Sequence, residues 1–344
     1  MGRYDLSRAD LAERLAGERR YRVDQVWDGL YRHGVGPETL TNLPAALRDR
    51  LAADPALGPS LRVDAELSSG STTKWRFALA DGPAVETVLM EYPGRATVCV
   101  SSQAGCAMAC GFCATGQAGF DRNLTVGEIV EQVVRASALA RARGRRLSNV
   151  VFMGMGEPMA NYDRVWPAVC RLHDDLGLSA RHLTVSTVGI VPGIRRLAGE
   201  ALPVNLAVSL HAADDELRDR LVPINRRYPL ADLVAACREW RDARNRRLSF
   251  EWALIDGVND RRADADRLAA LARPLGAHVN LIPLNPTPGW PTRGTPVPGI
   301  AAFRDRLAGA GVNATVRRNR GVGIDAACGQ LAGKVALGRR GGPD

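Results

Sequence analysis

From residue 95 onward, short apolar runs alternate with longer amphipathic stretches, and this alternation constrains the fold more than any other feature of the chain. The apolar runs are Thr97–Val100, Asn149–Met153, His182–Ser186, Val204–Leu210, Ser249–Ile255 and His278–Leu284. Helical spacing marks roughly Val126–Arg143, Tyr162–Leu176, Val191–Glu200, Leu230–Arg244 and Ala263–Arg273, with Gly299–Ala310 after the sixth run. Strand then helix, repeated in series, predicts a parallel sheet, because a parallel neighbour is reached only by a long crossover. Runs such as Val150-Val151-Phe152-Met153 are apolar throughout, as expected of strands covered on both faces. A closed eight-unit barrel takes about 250 residues. Six units in about 230 residues predict an α/β fold built on a partial (βα)6 TIM-like barrel.

In such a fold the chemistry sits at the C-terminal ends of the strands. The first strand runs into Ser101-Ser102-Gln103 and a cysteine-rich loop, and the second ends in Gly154-Met155-Gly156-Glu157-Pro158. The third ends in Ser186-Thr187, the fourth in Ser209-Leu210-His211 and the sixth in Asn285-Pro286. Any one of these is an ordinary strand-to-loop transition. Five at one rim point to a site.

Ahead of the barrel, residues 1–58 place Leu6, Leu11 and Leu15, then Val23, Val26, Trp27, Leu30 and Tyr31, then Leu43, Leu47 and Leu51 at helical spacing. They predict a small helical accessory domain. Arg19, Arg20, Arg22, Arg32 and His33 decorate it, and a solvated face and nucleic-acid contact both fit them. Residues 59–94 alternate with period two, through Leu61, Val63, Ala65 and Leu67 and again through Trp75, Phe77 and Leu79. Turns at Gly70 and Asp81-Gly82 and a further strand at Val85–Met90 make this an antiparallel linker. The core barrel is expected over 95–320, with a loop and tail over 321–344.

The 344 residues carry 46 basic against 37 acidic side chains, a formal charge of +9. Only Lys74 and Lys334 are lysines, and arginine richness of that kind reflects a GC-rich genome more than function. The net charge itself suits a polyanion such as nucleic acid. The long uncharged stretches, Ala96–Phe120 and Pro274–Thr292, are broken by glycine, polar residues or five prolines, so neither spans a bilayer as an apolar helix. The N-terminus shows no apolar signal-peptide core, so the expected location is the cytoplasm.

There are seven cysteines, and an odd number in such a chain argues against a disulfide framework. Four of them, Cys99, Cys106, Cys110 and Cys113, fall within fifteen residues, the last three as C-x3-C-x2-C. Three thiolates at this spacing can hold three irons of a four-iron, four-sulfur cluster and leave the fourth iron open. Structural zinc wants four closed ligands, and no histidine lies nearby, so the cluster is the better fit. Cys170 and Cys237 sit among apolar neighbours on helical patterns and read as core thiols.

Along residues 95–335 the sequence resembles the radical S-adenosylmethionine (SAM) enzymes, and within them the RlmN/Cfr family of RNA adenine methyltransferases. The resemblance rests on Gly94 through Gln103 leading into the cysteine loop, Asn123-Leu124-Thr125, Gly154 through Pro158 and Ser209-Leu210-His211-Ala212. It rests further on Val222-Pro223-Ile224-Asn225, Asn280 through Pro286 and, most specifically, Asp325-Ala326-Ala327-Cys328-Gly329-Gln330-Leu331. Tyr21 through Trp27 is similar to the family's accessory domain.

The resemblance implies a two-stage use of SAM, two molecules per turnover. One methylates Cys328, and a thiolate is the required nucleophile. The second, cleaved by one electron from the cluster on Cys106, Cys110 and Cys113, yields a radical that activates the S-methyl group to attack carbon 2 of an adenosine. Cys99 then forms a disulfide with Cys328 and releases the product. Glu86 matches the family's proton acceptor. Gly156, Glu157, Ser186, Ser209, Leu210, His211 and Asn285 match its SAM contacts, Glu157 as a partner for the SAM amino group. The implied partners are 23S rRNA and transfer RNA, with a flavodoxin or ferredoxin system as electron donor, and the implied protein is a monomer.

Arg317, Arg318 and Arg320, just before the Cys328 loop, are the RNA-binding candidates. Cfr-like methylation at adenine carbon 8 uses the same cysteines and is the first alternative. A radical SAM enzyme acting on a protein or small molecule needs neither Cys99 nor Cys328. A zinc-bearing RNA-binding module is the non-enzymatic alternative.

Overall fold

The computed structural model describes residues 2–287, 289–317 and 321–332. Among these residues the strands are, in chain order, β1 (Leu61–Ser69), β2 (Thr72–Leu79), β3 (Ala84–Tyr92), β4 (Arg95–Cys99), β5 (Gln103–Gly105) and β6 (Phe120–Asn123). They continue with β7 (Leu147–Phe152), β8 (Leu183–Thr187), β9 (Asn205–Ser209), β10 (Leu248–Leu254), β11 (His278–Pro283) and β12 (Ala314–Val316). One ten-stranded sheet has the order β1-β2-β3-β4-β7-β8-β9-β10-β11-β12, and β5 and β6 form a separate hairpin. β1 to β4 pair antiparallel. From β4 onward every neighbouring pair is parallel.

The alternation in the sequence is therefore an open α/β barrel, and each of the six expected strands lies within two residues of an observed one. One short parallel strand is added. β12 has only three residues, too few to show a period, and it is recognised by its pairing of Val279 with Ala314 through Leu281 with Val316. The antiparallel strands extend the barrel sheet, because β3 pairs with β4.

Local sequence sets the element ends. The helix Val126–Ala142 starts at a capping box in which Thr125 accepts from the Glu128 N–H and the Glu128 carboxylate accepts from the Thr125 N–H. The helix Leu230–Arg244 stops at Asn245, whose φ of 45° is left-handed. β10 is buried along its whole length, and each apolar side chain there contributes about 1.5–3 kcal/mol on burial. Glu251 is the one charged residue in that strand.

The N-terminal helices Arg8–Arg14, Tyr21–Asp28 and Ala45–Ala52 pack on the outer face of the barrel. The Tyr21–Asp28 helix runs on into a π-helical turn, Gly29–His33. Trp27 Nε1 donates to Asp175 at 2.9 Å, the Gly127 N–H donates to Asp5 at 2.7 Å, and the Arg171 guanidinium donates to the Tyr4 carbonyl. Among the described residues no helix is long and apolar enough to cross a membrane.

Candidate active site

The β5–β6 hairpin raises residues 106–119 as a loop, closed where the Cys106 N–H donates to the Gly119 carbonyl at 2.7 Å. Gly105 has φ +73°, and a Cβ there would fall 2.1 Å from the Gly119 oxygen, so the hairpin closes only with glycine. Cys106, Cys110 and Cys113 line one cavity at the C-terminal rim of the barrel. Burial pushes the Cys106 thiol up to about 12 and raises Cys110 as well, and the neighbouring thiols add to the Cys110 shift. Thiols in that state become thiolates when a cation joins them. Among the described residues no three Cys, His, Asp or Glu side chains converge on a single-ion site. A lone zinc needs sulfurs about 2.3 Å from one centre. A four-iron cluster takes each thiolate on a different iron, and three cysteines around one cavity fit that group.

Opposite the cysteines, Gly156 and Glu157 follow β7. Gly156 has φ +96°, and a Cβ there would lie 2.5 Å from Gln103 Cβ. This tight turn lets the Glu157 N–H reach Gln103 Oε1 at 2.8 Å. The buried Glu157 carboxylate accepts from the Met159 N–H at 2.9 Å and the Val188 N–H at 2.8 Å. Burial pushes its pKa up to about 7 despite those bonds, because no side-chain cation among the described residues meets it. An ammonium ligand in the cavity would restore its charge.

Ser186 from β8, Ser209 from β9, and His211 and Asn285 just beyond strand ends line the same cavity. His211 has φ 59°, its Nδ1 accepts from the Ala253 N–H at 2.9 Å, and its ring meets Phe112 edge-on at 4.7 Å. Burial, then Arg218, drives its pKa down to about 3, so it is a neutral ring. Arg218 is fully buried and ties the strand ends together. It donates to Leu210 O at 3.1 Å, Val188 O at 2.6 Å and Asn225 Oδ1 at 2.7 Å.

The C-terminal loop closes the cavity. The Ala114 N–H donates to Gly329 O at 2.8 Å, the Thr115 hydroxyl donates to Leu331 O, and Asn285 Nδ2 donates to Cys328 O at 3.0 Å. Cys328 thereby lines the cysteine cavity and also a second one, whose walls include Cys99, Val88, Met90 and Tyr92. Cys328 is exposed. Burial pushes the Cys99 thiol up to about 12, Cys328 adds to the push and Arg317 opposes it. Desolvation also raises Cys328, against Arg317 and with Glu251 and Cys113.

Arg317 continues from β12, held by its N–H on Leu281 O at 2.8 Å. It lines both cavities, with Nη1 3.5 Å from Glu251 Oε2 and 3.8 Å from Met153 Sδ. Desolvation works against its charge, but Glu251 and then the two thiols outweigh it. Glu251 Oε1 accepts from Asn280 Nδ2 at 2.7 Å and Ser249 Oγ at 3.1 Å.

Twelve of the residues singled out in the sequence therefore line one or both of two adjoining cavities: Cys99, Cys106, Cys110, Cys113, Gly156, Glu157, Ser186, Ser209, His211, Asn285, Arg317 and Cys328. Leu210 is fully buried in the core and is not among the lining residues. Glu86 lies on β3, paired with Lys74, and is not among the lining residues of either cavity. Arg317 faces inward, and Arg318 and Arg320 lie outside the described residues. Glu251 and Arg218 went unread in the sequence. A carboxylate in an otherwise apolar strand was the available signal for Glu251.

Residues 100–269, from the edge of the cysteine loop to the helix after β10, match the radical SAM superfamily, and the loop cysteines and most strand ends lie inside that match. The fold and cavity are those of a radical SAM enzyme. The chain is 52% identical, over 97% of its length and 93% of the relative's, to a Chloroflexus aurantiacus protein named "Probable dual-specificity RNA methyltransferase RlmN". It is 49% identical, over 96% of this chain and 94% of the relative, to "Dual-specificity RNA methyltransferase RlmN 1" of Myxococcus xanthus. A solved structure of a radical SAM methyltransferase from Sphaerobacter thermophilus superposes with a TM-score of 0.93 at 51% identity, covering 97% of this chain and 100% of that one. The chain belongs to the RlmN family of radical SAM methyltransferases.

Proposed function

We propose that this enzyme methylates carbon 2 of a specific adenosine in 23S rRNA and in transfer RNA, with Cys328 as methyl carrier and Cys99 as the thiol that frees the product. The observation that carries the reading is the place of Cys328 on the wall shared by two cavities, one lined by Cys106, Cys110 and Cys113 and the other by Cys99. Cys106, Cys110 and Cys113 would hold one four-iron cluster, with SAM against Gly156, Glu157, Ser186, Ser209, His211 and Asn285. When bound, the cluster supplies one electron to SAM, opening a radical route to an adenine carbon that is not nucleophilic.

The chain's own residues do the rest. Glu157, as carboxylate, binds the SAM ammonium group. Cys328 loses its proton as its sulfur takes the first methyl group, and a second SAM serves the radical step. Once that carbon is joined to the adenine, Glu86 accepts the ring proton. Cys99 gives up its proton and attacks the Cys328 sulfur; the S–S bond forms, the Cys328–carbon bond breaks, and the carbon leaves with the bonding pair and takes up a proton to become the methyl group. Cellular thiols must then reduce the disulfide. A flavodoxin or ferredoxin system is the proposed reductant, the cytoplasm the proposed location and a monomer the proposed state.

Mass spectrometry of RNA nucleosides from cells with and without the gene tests the reading. Loss of 2-methyladenosine in the deletion strain is expected. Loss of 8-methyladenosine instead would contradict it and support carbon 8 chemistry.

A further inference from the structure

In a chain where arginine supplies nearly every positive charge, Lys74 is the only lysine among the described residues. It lies on β2, and only 8% of its surface is exposed. Lys74 Nζ sits 3.1 Å from Glu86 Oε1 on the neighbouring strand and donates to Asp325 O at 3.2 Å. The other Glu86 oxygen accepts from the Ala332 N–H at 3.0 Å. Arg76, directly across from Glu86 in the register, pairs with Asp64.

Asp325 and Ala332 flank Cys328, so one buried ion pair grips the loop on both sides of the carrier cysteine. The grip falls at a strained point. Asp325 has φ 50°, a left-handed conformation that residues with a Cβ adopt at a cost, and the Lys74 ammonium bonds the carbonyl of that same residue. A compact ammonium serves two acceptors in this enclosed space. A planar guanidinium is wider and spreads its charge over a fixed fork, so arginine does not replace it there.

We propose that Lys74 is a positioning residue that clamps the Cys328 loop to Glu86, so that departure of the loop from its seat and release of a Glu86 oxygen are one event. While Ala332 is seated, each Glu86 oxygen holds a partner, Lys74 on one and the Ala332 N–H on the other. When it leaves, Glu86 gains an acceptor site at the moment when Cys328 can move. The inference rests on the roles given above to Cys328 and Glu86.

The test uses the full chain, anaerobically reconstituted, with Lys74→Met, Lys74→Arg and Glu86→Gln. Amide exchange over residues 321–332 and the rate of Cys328 alkylation by iodoacetamide are read by peptide mass spectrometry, with buried Cys237 as internal control. Lys74→Met should accelerate both by at least about tenfold, as expected when a buried pair loses one partner. Lys74→Arg should not restore protection. Glu86→Gln keeps an acceptor for the Ala332 N–H but loses the ion pair, so it should fall between wild type and Lys74→Met. Exchange and alkylation at wild-type rates in both Lys74→Met and Glu86→Gln would overturn the clamp, as would full protection in Lys74→Arg. Failure of wild-type Cys328 to gain a methyl group from SAM would sink the functional reading while leaving the loop measurements intact.

Discussion

The cavity lined by the loop cysteines takes its wall from the ends of five parallel strands, β7 to β11, and backbone N–H groups hold its Glu157 and His211 side chains. The cavity lined by Cys99 takes its wall from antiparallel β3, from β4, β7 and β11 and from the C-terminal loop, and apart from Tyr92 and Arg317 its lining is apolar or thiol. The first is built to hold charge, with Glu157 fixed by two N–H donors and a neutral His211 beside it. Cys328 belongs to both, and it sits on a segment that is docked through side chains and loop carbonyls rather than woven into the sheet. Under the proposed function, the contrast separates a cavity of fixed walls that would hold the reagents from a docked loop that would carry the group between them.

The largest expected effect breaks the first cavity. Cys106→Ala, Cys110→Ala or Cys113→Ala should reduce iron content from about four per chain to near zero, while Cys170→Ala should retain it. Iron and sulfide analysis after anaerobic reconstitution checks this, and stoichiometric zinc without iron-dependent absorbance would contradict it.

Glu157 sharpens the charge argument. Its pKa is about 7, so the carboxylate that pairs with an ammonium predominates only above that pH. SAM affinity should rise as pH increases through about 7. Without SAM the sign reverses for stability: the fold favours the neutral acid, so stability falls as pH climbs from the usual carboxylate range to about 7. Glu157→Gln should bind SAM about tenfold or more weakly, the scale of one charge-assisted hydrogen bond, and should lose the pH dependence. Titration calorimetry on reconstituted protein reads both.

Arg317 probes the boundary between the cavities. It opposes the upward shifts of Cys99 and Cys328. Arg317→Gln should push both thiols further up and so leave less thiolate at a fixed pH near 8. Alkylation of both should slow, by about tenfold where a thiol's pKa rises by one. Unchanged thiol reactivity with weakened RNA binding would instead put Arg317 on the RNA face.

The smallest effect concerns the outer surface. With a formal charge of +9, RNA affinity should fall steeply as salt rises, through counterion release. A flat salt response in a filter-binding assay would remove the basic surface from docking.

The same contrast explains what was legible in the sequence. The parallel half announced itself because each strand is an apolar run with a helix behind it, and its polar residues follow directly in the chain. β12 did not, being three residues long. Arg317 read as part of an Arg-rich surface run, since only the pairing of β12 with β11 turns it inward. Leu210 stood in a recognisable motif between two lining residues, yet its side chain is buried in the core next to lining Ser209. Lys74 and Glu251 carry no motif. Their importance comes from partners far away in sequence, Asp325 and Arg317, which no local pattern reveals.

The central claim is that Cys328 carries the group and Cys99 ends the attachment. Cys99→Ala, reconstituted and supplied with SAM, reductant and RNA, should accumulate as a covalent protein–RNA species joined through Cys328, seen on a denaturing gel as a shift removed by ribonuclease. Cys328→Ala should show no shift and gain no methyl group. Normal turnover by Cys99→Ala, or the same trapped species in Cys328→Ala, would contradict the account.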